Sequence, residues 1–129
     1  MIAVDTNIVI RLLAKDDEAQ FQKSWQLFQT QEIFISDTVI LEVEWVLRFA
    51  YKFKPSPVCQ ALRNLLGLSN VQIFNPATIA QALEWHEKGL DFADALHLAK
   101  SQECLEFYTF DRKLFNKSQN LSKCEVKIP

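Results

Sequence analysis

Four carboxylates set far apart in this 129-residue chain, Asp5, Glu42, Asp94 and Asp111, have the type and placement for chemistry. Asp5 stops the apolar run Ile2–Val4 and is followed by Thr6, Asn7 and a second apolar stretch. An Asp at that junction is either a helix N-cap, worth about 1 kcal/mol, or part of a site whose other members lie elsewhere. Asp111 follows FYTF, precedes a short helical stretch and has the same two readings; Thr109 can orient it through its hydroxyl. Asp91 and Asp94 stand one turn apart in DFADALHLA, at the start of a helix. Capping and the helix dipole account well for Asp91, and less well for Asp94, which has Leu98 as well as His97 beside it on the helical wheel. At about 100° per residue, Glu42 falls among Val39, Trp45, Val46 and Phe49 and is expected to face a core. An ionised carboxylate there is costly unless a cation or a metal accompanies it. Glu44 points almost oppositely, with Arg48 four residues on, the order of a surface ion pair.

The elements that must carry these acids alternate. Ile2–Val4, Ile33–Ile35, Val71–Phe74 and Glu106–Thr109 read as strands, with Val126–Ile128 as a possible fifth. Helices are expected over Asn7–Ala14, Glu18–Gln31, Thr38–Tyr51, Pro57 to near Gly67, from Asn75-Pro76 through about Lys88, from Asp91 to about Gln102, and briefly after Asp111. Ser36-Asp37-Thr38 supplies caps for the third helix. Phe21, Trp25 and Phe28, at i, i+4 and i+7, are expected to pack in the core. Strands alternating with helices imply an α/β sandwich with parallel strands and helical crossovers. In such sheets sites form beyond the carboxyl ends of the strands, where Asp5 and Asp111 fall.

Each capping account is reasonable alone. Together they leave four acids from distant segments near one sheet edge, and carboxylates so gathered repel and are driven to protonate unless a multivalent cation holds them. An all-oxygen set without a matching His or Cys cluster suits Mg²⁺ or Mn²⁺. Such ions polarise phosphoryl oxygens and lower the pKa of water, and a pair of them clamps a phosphodiester during in-line displacement.

VDTN near the start, a Glu within LEVEWVL, then GLDFADALHLA and TFD together resemble the PIN domain, most closely the VapC-type toxins of toxin–antitoxin pairs. The resemblance runs over essentially the whole chain, in matching order and at typical spacing. It implies a three-layer sandwich, a central parallel β-sheet of four to five strands flanked by helices, as a single domain over residues 1–129. It implies a single-strand endoribonuclease using one or two Mg²⁺ or Mn²⁺ ions, with water attacking the RNA phosphodiester to leave 5′-phosphate and 3′-hydroxyl ends. Asp5, Glu42, Asp94 and Asp111 carry over as the acidic metal site, Asp91 as an additional acid, and Thr6, Asn7 and Thr109 as polar supports. A VapB-like antitoxin and a homodimer are the partners it implies.

Composition bounds the rest. A net charge of −2 gives no bulk attraction for nucleic acid, so contact with RNA must rest on a local site. Three cysteines without CxxC spacing point to reduced thiols and a cytoplasmic protein, with neither disulfides nor zinc. No apolar segment reads as membrane-spanning. With only Gly67 and Gly89, no glycine-rich phosphate loop exists. A phosphoacceptor domain would need a second acid beside Asp5, where Thr6 and Asn7 stand. His86 and His97, the two histidines, lack ligand spacing and read as structural or surface residues; as a catalytic pair they would leave Glu42 unexplained. RFAYKFK, residues 48–54, alternates aromatic and basic side chains as an RNA-stacking segment can, and equally as a helix C-terminus balancing its dipole. Arg11, Lys15, Arg112 and Lys113 are candidate phosphate contacts. The alternative to a nuclease is a non-catalytic acidic module that binds metal or protein.

Overall fold

A computed structural model describes residues 1–129. The chain forms two compact units, Met1–Phe74 and Asn75–Pro129. No helix is long and apolar enough to cross a membrane.

The first unit holds β1 (Ile2–Ala3), α1 (Thr6–Ala14), α2 (Glu18–Thr30), β2 (Ile33–Phe34), α3 (Asp37–Phe49), α4 (Pro55–Leu66) and β3 (Val71–Gln72). The three strands form a parallel sheet in the order β1-β2-β3, with Ile33 opposite both Ile2 and Val71. β2 is central; Ile33 and, just past the strand, Ile35 share one face and are fully buried, while Phe34 on the other face is half-buried. Side-chain caps fix the helix starts: Asp17 accepts from the Gln20 amide at 3.0 Å and Ser36 from Val39 at 3.3 Å. Two prolines, Pro55 and Pro57, open α4 in place of a side-chain cap.

The second unit holds α5 (Pro76–Glu87), α6 (Phe92–Ala99), β4 (Glu106–Tyr108), α7 (Arg112–Ser118) and β5 (Glu125–Lys127). Asn75 caps α5 through the Thr78 amide at 3.2 Å. Gly89, at φ 112°, makes the turn from α5 into α6, a conformation L side chains rarely adopt. α5 packs on α6 around Ile79, Leu83 and Phe92. β4 and β5 pair in parallel, Phe107 opposite Val126, across the α7 crossover.

The α/β class, the parallel strands and the helical crossovers agree with the sequence reading. The hydrogen bonding does not form one sheet of four to five strands: three strands form one ladder and two another. Strands of two or three residues have few ladder bonds to give, and β3 pairs only with β2.

Two packing expectations are reversed. On α3, the stripe Ile40, Val43, Glu44 and Leu47 is buried, while Glu42, Trp45 and Phe49 are exposed. Glu44, at 1 % exposure, is held by a two-pronged ion pair with Arg48, whose Nε and Nη2 donate at 2.8 and 3.2 Å. That pairing is what lets a carboxylate enter the core. On α2, Phe28 is buried and Phe21 half-buried beneath Lys15, but Trp25 is exposed.

Candidate functional site

The acids divide between the two units, and all but Glu42, which lies within α3, stand at helix starts. In the first unit Asp5 follows β1 and is the N-cap of α1, its Oδ1 accepting from the Ile8 amide at 3.2 Å. Capping and ligation are therefore not exclusive, since the cap bond engages one oxygen and the side chain is exposed. Thr6, the next residue, is buried, and its hydroxyl donates to Glu42 Oε1 on α3. This bond joins the α1 start to α3, which packs along it, and brings Glu42 beside the Asp5–Thr6 corner. Asn7 is exposed in the same first turn.

In the second unit Asp91 is the N-cap of α6 and accepts from the Asp94 amide at 3.3 Å. Asp94 stands half-buried in the first turn. Burial above all, then the charges of Asp91 and Asp111, push its carboxyl above the ordinary carboxylate value; His97 acts in the opposite sense. Asp111 caps α7, its Oδ1 accepting from Lys113 and Leu114 at 2.9 and 3.1 Å. Its own amide donates to Thr109 Oγ1 at 3.0 Å, and the Thr109 amide donates to the Lys127 carbonyl of β5 at 3.0 Å. Thr109 therefore orients Asp111 through its hydroxyl, from a backbone position fixed by the neighbouring strand.

The structure thus brings Asp5 together with Glu42, and Asp94 together with Asp91 and Asp111. These donors are all oxygens, the set a hard divalent cation takes, and the repulsion felt by Asp94 is what such a cation relieves. The donor chemistry fits Mg²⁺ or Mn²⁺. Nowhere in the structure do three or more His, Cys, Asp or Glu side chains stand grouped so that they could hold a metal ion.

A family model, the PIN domain, matches residues 2–119. The chain belongs to the PIN domain family. The match runs through both units and takes in all four acids together with Asp91 and Thr109. Among solved structures the chain is similar to "Crystal structure of VapBC2 from Rickettsia felis bound to a DNA fragment from their promoter". The identity is 18 %, with 98 % of this chain and 96 % of that chain covered and a TM-score of 0.39. No curated protein matches at a significant level.

Several other candidate residues of this PIN domain have structural work. Arg11, in the last turn of α1, donates to Gln20 Oε1 at 2.6 Å, to Asp16 Oδ1 at 3.1 Å and to the Tyr51 hydroxyl at 3.1 Å. Tyr51 in turn donates to Asp16 at 2.6 Å. The residue pattern gives no hint of this knot, because its members meet only when α1 lies against the end of α3. RFAYKFK is accordingly built into the fold: Arg48 serves Glu44, Tyr51 serves Asp16, and the Tyr51 and Phe53 rings stack at 6.0 Å. His86 is buried, its Nδ1 2.7 Å from the Leu90 carbonyl and its ring edge-on to Phe92. That is a structural histidine in the last turn of α5, bonded to the turn that leads into α6. Arg112 and Lys113 are exposed in the first turn of α7, directly after Asp111.

Proposed function

We propose that this PIN domain is a VapC-like endoribonuclease dependent on Mg²⁺ or Mn²⁺, hydrolysing single-stranded RNA to 5′-phosphate and 3′-hydroxyl ends. The observation that carries the reading is the family match over residues 2–119, because it takes in Asp5, Glu42, Asp94 and Asp111 together. Asp5, Glu42, Asp94 and Asp111 hold one or two ions, with Asp91 as a further donor. Divalent cations bound there would polarise the phosphodiester and lower the pKa of water.

The protein's own contribution is orientation and charge. Thr6 fixes one oxygen of Glu42 by donating to it, leaving the other to a ligand. Thr109 fixes the Asp111 backbone. Asp94, raised in pKa by burial above all and then by Asp91 and Asp111, can exchange a proton with water more readily than an isolated carboxylate. Asn7 is a donor for substrate or water. Residues 1–129 act as a single catalytic domain in the cytoplasm, as a homodimer inhibited by a VapB-like antitoxin; these expectations rest on the sequence resemblance.

The deciding experiment is incubation of a mixed cellular RNA pool with purified protein and Mg²⁺ or Mn²⁺, beside EDTA and Asp5→Asn controls. Asparagine retains the capping ability of Asp5 and removes its charge. Cleavage that vanishes in both controls and leaves 5′-phosphate ends supports the reading. Cleavage surviving EDTA overturns the metal mechanism. Cation binding without any cleavage favours the non-catalytic acidic module.

A further inference from the structure

We propose that Phe110 and Arg112 form a substrate clamp at the end of β4, Phe110 stacking on a base of single-stranded RNA and Arg112 holding a neighbouring phosphate. The inference rests on the nuclease reading and adds to it two residues that touch substrate without touching metal. Phe110 is 84 % exposed, more than any other Phe, Tyr or Trp of the chain. Its neighbours in sequence leave it little freedom to fold away. On one side the Thr109 amide donates to the Lys127 carbonyl at 3.0 Å, and on the other Asp111 caps α7. Thr109 Oγ1 accepts from the Asp111 amide across the intervening Phe110. The backbone is thus pinned on both sides, and the ring stands in water beside a proposed metal ligand.

Exposure alternates along this segment. Glu106, Tyr108 and Phe110 are open while Phe107 and Thr109 are half-buried, so the two open rings leave the β4 segment from one side. Aromatic side chains on an open strand stack the bases of single-stranded nucleic acid. The Tyr108 hydroxyl is already bonded to Glu106 at 2.6 Å, so its ring face is what it offers. The acids of β4 and β5, Glu106 and Glu125, are both answered by Lys127, at 3.0 and 3.7 Å.

Arg112 and Lys113 supply the positive charge. Arg11 and Arg48 are committed to Asp16 and Glu44, and Lys117 to the Gly89 carbonyl. The side chains of Arg112 and Lys113 are exposed and make no ion pair or hydrogen bond within the chain. A free guanidinium can take phosphate oxygens two at a time. Standing on either side of Asp111 in sequence, the ring and the guanidinium can grip the strand whose phosphate the acids' metal site takes. A protein partner fits less well, because the centre of a protein interface is depleted of charge. Here Asp111, Arg112 and Lys113 follow the ring directly.

The test measures, by fluorescence anisotropy, binding of a labelled single-stranded RNA of about 12 nucleotides. The full chain is used in Ca²⁺, which takes oxygen donors as Mg²⁺ does. Phe110→Ala weakens binding about 10-fold and Phe110→Trp restores it, while neither changes Tm or Mn²⁺ affinity. Arg112→Gln flattens the slope of log affinity against log salt by about 0.7, and Phe110→Ala leaves that slope alone. Unchanged RNA affinity in Phe110→Ala overturns the clamp, as does a loss that Phe110→Trp fails to restore. A changed sedimentation coefficient with RNA affinity intact also overturns it, and assigns the ring to a contact between copies of the chain. Binding that depends on Phe110 without cleavage in Mg²⁺ or Mn²⁺ keeps the clamp and removes the nuclease. Cleavage and binding indifferent to Phe110 do the reverse.

Discussion

The Thr6 hydroxyl donates to Glu42 Oε1, so the residue after one proposed ligand orients another proposed ligand on a different helix. A carboxylate held at one oxygen loses less freedom when the other takes a cation, which is how supporting hydrogen bonds tune metal sites. Thr6→Val keeps the shape and removes the donor. It lowers RNA cleavage about 10-fold and raises the Mn²⁺ concentration needed for half-maximal rate, whereas Thr6→Ser restores both. A cation titration of the cleavage rate checks this, and an unchanged titration in the valine variant counts against the role of the bond.

Asp94 predicts an opposition between stability and activity. Its carboxyl titrates above the ordinary value because it is partly buried beside Asp91 and Asp111. The folded state therefore holds its proton more tightly than the unfolded chain. Its contribution is most favourable below the unfolded pKa of about 3.9 and declines as pH rises to the raised folded value. At pH 7 the ionised group strains the metal-free fold. Asp94→Asn should raise the Tm of the metal-free protein at pH 7, reduce the gain in Tm on adding Mn²⁺, and lower cleavage at least about 100-fold. Thermal melts in EDTA and in Mn²⁺ read the first two effects; a lower Tm for the asparagine variant in EDTA would contradict the strain.

The two glutamates of α3 separate cleanly in their effects. Glu44→Ala leaves the Arg48 guanidinium without its carboxylate. The loss costs about 3 kcal/mol, the low end for breaking a buried pair because Arg48 still reaches water. Tm falls by about 10 °C. Glu42→Gln, at an exposed position, changes Tm by only a few degrees and abolishes metal-dependent cleavage. Denaturation and cleavage assays on the same preparations distinguish them, and equal destabilisation by both substitutions would refute the assignment.

That contrast shows where the sequence misleads. The stripe Val39, Trp45, Val46, Phe49 is as apolar as Ile40, Val43, Leu47, so periodicity alone cannot tell which faces the core. What sets the two sides apart is Arg48, which neutralises Glu44, so that the side whose acid has a cation one turn on is the side that enters the core. The prominence of Glu42 was legible, but for a mistaken reason: it is an acid in an exposed aromatic strip rather than a buried charge. Trp25 shares the difficulty, because i, i+4, i+7 spacing marks a face of α2 without saying how far that face is covered. Asp5, Asp91 and Asp111 were readable as caps, since capping is local and all three accept amide bonds of the expected kind. The Arg11–Asp16–Tyr51 knot was illegible, because nothing local foretells a contact between residues 40 apart.

The same knot gives a titration prediction. The Tyr51 hydroxyl, more than any other group, holds the Asp16 carboxyl below its ordinary value. A depressed carboxylate contributes stability that is present above its unfolded pKa and lost as pH falls through the folded one. In Tyr51→Phe the Asp16 titration, followed by NMR of its carboxyl carbon, moves up toward the ordinary value. Tm at pH 7 falls only slightly, because the knot is exposed to solvent. An unmoved Asp16 titration would show that Arg11 alone sets it.

β1 is two residues long and lies at the rim of its sheet, so Asp5 gains little rigidity from the strand that delivers it. Its steadiness comes from the other direction, through the buried Thr6 and the helix beginning there. Amide hydrogen exchange should therefore run in reverse of the chain's apparent hierarchy. The Ile2 and Val4 amides exchange through cheap local fraying, while Val9 and Ile10, one turn into α1, exchange far more slowly. The first acid of the site behaves as a passenger of a helix rather than as the tip of a strand, and a loosened N-terminus would leave it in place.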